Sequence, residues 1–500
     1  MLSLIRVASI TLACLLCVTW RAVGAGVSAG GTIATYHGDP ARSGNYIVPT
    51  LSWQALPTVH RDAGFDGRVQ GHVYAQPLYW RPSGAEHGLI LVATESDVVA
   101  ALDAITGRTV WSVAVGRAVS GSSLPCGNID PLGITGTPVI DPDAGAIYFD
   151  AAVEQNGTVQ HLIYGLRLRD GAALPGWPIN VAAALRALGV NFVPRQQNQR
   201  SALAILDGRI FVGYGGHWGD CGSYHGVVLG IDPMPPRAVA AWATRGVKGG
   251  IWMPAGISVA DGSLFFTTGN TEVNNRWEDG EGVFRLPPSL ARSDNPENYF
   301  APANWKQLDD DDLDMSGSPA MPIDVPGPGG VAHRLVAFGK DGNAYLLNRD
   351  DLGGIGRQIA IRPAGGIPII TSPAVYSARG RTWIVFQARA AICPNGGGGG
   401  GLAALRVTAA DLAPLWCAPF DGQGGPIVTT TDGATNPIVW AVSAGADDRL
   451  HAVRGDDGTP LWTSRERIPG LRHFVTILAA RDRLYIAGDG RITAFTWATR

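Results

Sequence analysis

Three side chains of metal-binding type recur at intervals of four in His217-Trp-Gly-Asp-Cys221-Gly-Ser-Tyr-His225. Imidazole nitrogen and thiolate sulfur suit Zn²⁺. A cysteine in a glycine-rich loop suits a disulfide as well, and that is the reading taken for Cys221. Upstream, Gln197-Asn-Gln-Arg200 sets planar amides beside a guanidinium. Such a group can be a surface loop with satisfied amides, or it can line a channel mouth and hold an anion through Arg200. Downstream, Leu308-Asp-Asp-Asp-Asp-Leu-Asp314 concentrates carboxylates, which alone reads as a solvated loop. The chain has no nucleotide fingerprint, no Gly-x-Ser-x-Gly elbow and no metalloprotease helix.

These residues need a frame, and the frame is a repeat. Its clearest copy is Val98-Val-Ala-Ala-Leu-Asp-Ala-Ile-Thr-Gly-Arg-Thr-Val-Trp111, and a second is Arg449-Leu-His-Ala-Val-Arg-Gly-Asp-Asp-Gly-Thr-Pro-Leu-Trp462. An apolar strand enters an Asp-x-x-Thr-Gly turn and a second strand ends on Trp. Asp103 can bond the turn backbone, and Gly107 can take the positive φ. Such a unit cannot bury its own apolar face, so repetition predicts an all-β propeller. The runs place blades near 73–116, 136–177, 203–242, 257–266, 317–360, 371–420, 425–465 and 472–497. That is eight blades of four antiparallel strands, with seven as the alternative. The last blade is one strand short, and residues 32–51 are expected to supply it, which would remove open edges. Long connections fall at 180–200 and 271–308, and the glycine run Gly396–Gly401 reads as a flexible loop.

Composition agrees. Gly (67) and Pro (34) are frequent and only 16% of residues are charged, as in short strands joined by turns. A net charge of −3 leaves no basic footprint for nucleic acid. Arg6 before the apolar run Val7 to Val18, then small residues at 23–26, reads as a secretory signal over 1–25. Residues 26–500 are then one propeller domain, periplasmic or secreted, with no membrane span. Export would remove Cys14 and Cys17 and leave four cysteines. In an oxidising compartment these suggest two disulfides, with Cys126–Cys221 and Cys393–Cys417 the preferred pairing of three.

The repeats resemble those of proteins that bind pyrroloquinoline quinone (PQQ), typified by the quinoprotein alcohol dehydrogenases. Non-catalytic propellers share these repeats. A narrower resemblance touches chemistry. Gly249-Gly250-Ile251-Trp252 looks like the segment whose Trp floors the quinone. Leu264-Phe-Phe-Thr-Thr-Gly-Asn270 is similar to the strand and turn carrying a calcium-binding Asn. The acidic run falls where the family's catalytic Asp lies. Lys340-Asp-Gly-Asn-Ala-Tyr-Leu-Leu-Asn-Arg349 resembles the strand whose cation contacts the quinone.

The resemblance implies PQQ and Ca²⁺ as cofactors and an alcohol or sugar as substrate. It assigns Trp252 as floor, Lys340 as quinone contact, and Glu154, Asn270 and Asp312 as metal ligands; Arg200, read above as an anion holder, would join Lys340 at the quinone. Asp312 would also be the base, preferred over Asp310 and Asp314. A flat anionic quinone needs an aromatic face and positive groups, and a hard cation needs oxygen donors. The family's adjacent Cys-Cys pair is missing, since only Cys126 lies in the comparable region. The family's fused cytochrome domain is also missing, so an electron acceptor would be a separate protein. The alternative is a non-catalytic propeller that binds protein or glycan.

Overall fold

The computed structural model describes residues 26–272, 275–366, 368–394 and 398–497. The expected signal at 1–25 lies outside them. The chain is an all-β propeller, and its strands assort into eight sheets that follow one another along the sequence.

The inner strands of the first three sheets are Leu78–Trp80, Val139–Asp141 and Ala204–Leu206. Those of the next three are Ser258–Ala260, Met321–Gly327 and Ala374–Ala378. Ile427–Thr430 and Ile477–Ala480 begin the last two. From each, the chain zigzags through antiparallel partners. Sheets joined this way have two apolar faces, and each face is covered by a neighbouring sheet. One buried cluster pairs sheets one and two, with Leu91, Ile140 and Phe149. Others join two to three, three to four, and so on to seven. The largest joins seventh, eighth and first sheets through Trp440, Leu484 and Ile90, so the ring is closed.

The repeat motif works between sheets. Asp103 Oδ1 accepts Thr106 N at 2.7 Å and Thr106 Oγ1 at 2.8 Å, which fixes the turn. Trp111, from the outer strand of the first sheet, donates its Nε1 to Leu168 O of the second at 2.9 Å. Trp416 of the sixth does the same to Gly455 O of the seventh, also at 2.9 Å. Both indoles lie on the next sheet's turn glycine. A Cβ at Gly171 or Gly458 would sit 2.6 Å from the indole, so only glycine lets the ring dock.

Three expectations are corrected. Residues 32–51 do not complete the eighth sheet; His60–Arg61 and Gly67–Arg68 do, pairing with Arg491–Thr496. Asn45–Ile47 instead pairs in parallel with Ile427–Thr430 of the seventh sheet. The stretch before it crosses the ring. Ile33 pairs with Tyr79, Ala34 O accepts Ile140 N, and Pro40 O accepts Val259 N. Ser43 O accepts Val375 N, and Ala29 O accepts Arg481 N. The fully buried Arg42 donates to Leu203 O and Ile257 O, both at 2.8 Å. Second, residues 271–308 are not merely a connection, because they hold the strands Val283–Leu286 and Tyr299–Ala301. Third, the glycine run is strand from Gly398 onward, within Gly398–Val407.

Both preferred disulfides form, Cys126–Cys221 and Cys393–Cys417. Among the described residues, no helix is long and apolar enough to cross a membrane.

Candidate functional site

A cavity of about 630 Å³ opens at one end of the ring axis. Its lining comes from two kinds of segment. Residues just before an inner strand supply Arg200, Trp252, Asp314, Ile370, Gln423 and Phe474. Hairpins between second and third strands supply His217, Asp220, Asn270 and Lys340. Four of the sequence candidates (Trp252, Asn270, Asp312 and Lys340) therefore meet here, with Arg200 beside them.

Trp252 is held at its backbone, which donates to Ser316 Oγ at 3.1 Å. Its half-buried ring faces Lys340, whose Nζ lies 5.5 Å from the ring centre. Asn270 is pinned from both sides: Gly249 N donates to its carbonyl at 2.8 Å, and its own N–H donates to Asp314 Oδ1 at 2.8 Å.

The acidic run divides its work. Asp309, 5% exposed, turns away and takes Thr271 N at 2.8 Å and Thr271 Oγ1 at 3.1 Å. Burial pushes its carboxyl up to about 6. Asp310 pairs with Lys306 on the surface of the short helix Trp305–Asp310. Asp312 and Asp314 both reach Lys340. Asp312 Oδ1 lies 3.1 Å from Nζ with its side chain 69% exposed, whereas Asp314 contacts Nζ through Oδ2 and is 5% exposed. The Lys340 N–H also donates to Asp314 O at 2.9 Å. Burial alone would lower the Lys340 pKa, but Asp314 and then Asp312 raise it above its ordinary value. The ammonium is thus firmly charged.

The opposite wall differs. The Arg200 guanidinium stands 5.5 Å from the Phe474 ring centre, and among the described residues no carboxylate lies within ion-pair distance of it. Burial lowers its pKa, yet arginine stays protonated. His217 is 4% exposed, its Nε2 has no hydrogen-bond partner, and burial pulls it down to about 4. His473 is likewise lowered to about 4, by burial and then by Arg200 and Arg472. Both are neutral at neutral pH. A second cavity of about 10 Å³ shares Arg200 and Phe474 and reaches Tyr36 of the cross-ring segment.

Glu154 is not among the cavity residues. It sits near the end of the ten-residue strand Ala146–Gln155, where its N–H bonds Arg117 O at 2.8 Å. The zinc spacing does not assemble, because Cys221 is in its disulfide and His225 Nδ1 donates to Gly246 O at 2.8 Å. Gln197 and Asn198 are buried rather than on a surface loop. Gln197 accepts Val193 N at 3.0 Å and donates to His225 O at 2.9 Å.

Sequence reasoning overlooked Asp220, Trp218, Phe474 and His473 as lining residues. The usable signal was position in the repeat: Phe474 precedes the eighth inner strand much as Trp252 precedes the fourth.

The donor sets can be tested against the implied cofactors. A flat anion fits, since the cavity offers an aromatic face, an unpaired guanidinium and an imidazole with an orphaned nitrogen. A calcium ion does not. The charge of Asp314 is already balanced by Lys340, with the Asn270 peptide on its other oxygen, and both oxygens of Asp309 bond Thr271. Among the described residues no three His, Cys, Asp or Glu side chains stand together as a metal site.

Fold and cavity together define a propeller with a cavity lined by its blade loops, and solved structures share that fold. The quinohemoprotein alcohol dehydrogenase of Comamonas testosteroni matches with TM-score 0.62 and 14% identity, over 94% of this chain and 81% of that one. The Pseudomonas putida HK5 quinohemoprotein alcohol dehydrogenase ADHIIG matches at 0.64 and 11%, over 94% and 81%. A europium-containing methanol dehydrogenase matches at 0.63 and 14%, over 92% and 90%. No family model matches the chain, and no curated protein matches it.

Proposed function

We propose that the cavity binds a flat, carboxylate-bearing quinone of the PQQ class and that the protein is a quinoprotein-like oxidoreductase acting on an alcohol or sugar. One observation carries this reading: an aromatic face with a cation, Trp252 beside Lys340, shares a cavity with the unpaired Arg200. Trp252 would carry the ring, and Arg200 would hold a carboxylate against Phe474. When bound, such a quinone would supply the hydride acceptor. The base role goes to Asp314 rather than Asp312. Asp314 is fixed by the Asn270 N–H and by Lys340 inside the cavity, whereas Asp312 sits exposed at its rim. A positioned carboxylate beside a permanent cation can take an alcohol proton and pass it on. Two disulfides suit a periplasmic or secreted protein, with the electron acceptor supplied separately.

The scaffold reading retains one supporting feature. Trp218, 70% exposed on the disulfide-tied loop at the cavity, is a surface aromatic of the kind that anchors partners. The test is to mix purified protein with PQQ, desalt, and measure retained quinone and dye reduction across alcohols and sugars. Retained quinone with substrate-dependent reduction is expected. Loss of the quinone on desalting, in both wild type and control buffers, sinks the enzyme reading.

A further inference from the structure

We propose that this cavity works without a divalent metal, because the Lys340 ammonium already occupies the charge-balancing place among its carboxylates. The inference deepens the quinone reading above, and it can be measured without any quinone.

A hard divalent cation takes six to eight oxygens, several of them anionic. The cavity has candidate donors, but its buried carboxylates already have partners, and of Asn270 only the backbone is bonded among the described residues. Lys340 Nζ touches Asp314 Oδ2, Asp312 Oδ1 at 3.1 Å and Asp312 O at 3.3 Å. Asp314 Oδ1 takes the Asn270 peptide. Asp220 Oδ1 accepts the Tyr224 hydroxyl at 2.6 Å. Both oxygens of Asp309 bond Thr271. Glu154 stands outside the cavity lining. A divalent ion would therefore have to displace an ammonium tethered at its own backbone, or sit against it at a cost that Coulomb repulsion makes large at low dielectric.

The lysine also has a structural reason to stay. Its N–H bond to Asp314 O fixes the strand entry, and its side chain is 18% exposed beneath the Trp252 face. A mobile surface lysine could swing away and admit a metal. This one is held at both ends.

The experiment is metal binding to the purified protein after chelation. Metal content is measured directly, and Tb³⁺ is titrated while tryptophan-sensitised luminescence is read. Wild type is expected to retain no stoichiometric metal and to bind Ca²⁺ or Tb³⁺ no tighter than about 1 mM, the weak end of oxygen-ligand sites. Lys340→Gln frees Asp312 and Asp314 and should tighten Tb³⁺ binding at least about tenfold, while Lys340→Arg should not. Stoichiometric metal in wild type that disappears in the Asp312→Asn/Asp314→Asn double variant overturns the proposal. Metal bound equally by wild type and the double variant supports it, since the cavity carboxylates then take no part. A protein that binds neither quinone nor metal defeats the cofactor reading but leaves this inference intact.

Discussion

Glu281 Oε2 accepts the peptide N–H of Met315 at 2.7 Å, one residue past the buried Asp314. Its other oxygen is buried without a partner. Burial first, then the charges of Asp314 and Asp309, raise this carboxyl well above the ordinary range and favour its protonated form. The protonated form suits the setting, because the neighbouring Asp314 and Asp309 disfavour a further anion there. Glu281→Gln should leave stability within about 1 kcal/mol of wild type, and Glu281→Ala should cost about 2–3 kcal/mol by orphaning the Met315 N–H and opening a void. Denaturant unfolding of both variants measures this, and equal losses would refute it.

A second buried acid pair should govern stability against pH. Asp97 is fully buried, neither of its oxygens has a partner, and burial, then Glu95 and Asp150, push it up to about 9. Glu95 is raised to about 7, chiefly by burial. Carboxyls raised on folding hold protons that the unfolded chain releases. Their stabilising contribution is complete below the unfolded value near 4 and is lost as pH climbs through 7 and then 9. Asp97→Asn should therefore melt higher than wild type near pH 8, by on the order of a few kcal/mol, and no higher near pH 4. Parallel melting curves at both pH values would contradict it.

Among the described residues no carboxylate lies within ion-pair distance of Arg200, so its charge can meet a ligand. Arg200→Gln should weaken binding of a carboxylate-bearing quinone by about 10- to 100-fold, as expected for one charge-assisted contact. Trp252→Ala should weaken binding to a similar extent by removing the ring face. Titration by fluorescence quenching reports both, and an unchanged affinity in either variant removes that residue from the site.

The two disulfides should separate by effect. Cys126–Cys221 closes a 95-residue separation and ties a loop that carries Asp220. Replacing both cysteines by Ser should cost about 2–4 kcal/mol and weaken ligand binding. Cys393–Cys417 spans 24 residues within the sixth sheet, away from the cavity lining. Its removal should lower the melting temperature while leaving ligand affinity unchanged.

The strands were legible because each repeat writes its first or second strand as an apolar run bounded by turn residues, as at Ile477–Ala480 and Leu89–Ala93. Trp252, Asn270 and Lys340 were legible because their segments keep a recognisable order. Glu154 was not. It occupies the matching hairpin of the second sheet, but that hairpin is long, and its end bonds Arg117 instead of joining the cavity. The cross-ring segment was misread for another reason. Residues 29–44 make isolated bonds to many sheets rather than one ladder, so they carry no strand periodicity. Arg42, fully buried on backbone carbonyls, looks like any surface arginine in the sequence.

That segment has a consequence for how the molecule is made. Residues 29–47 leave the ribosome well before two of their partners, Val428 and Arg481. The segment's bonds to Tyr79, Ile140 and Val259 can form earlier, but those to Val428 and Arg481 must wait until the last two sheets exist. Contacts of such sequence separation form slowly and late. The segment then acts as a clasp, locking distant sheets together and setting Tyr36 beneath Arg200. The cavity lining therefore stays incomplete in any nascent chain that stops short of Phe474.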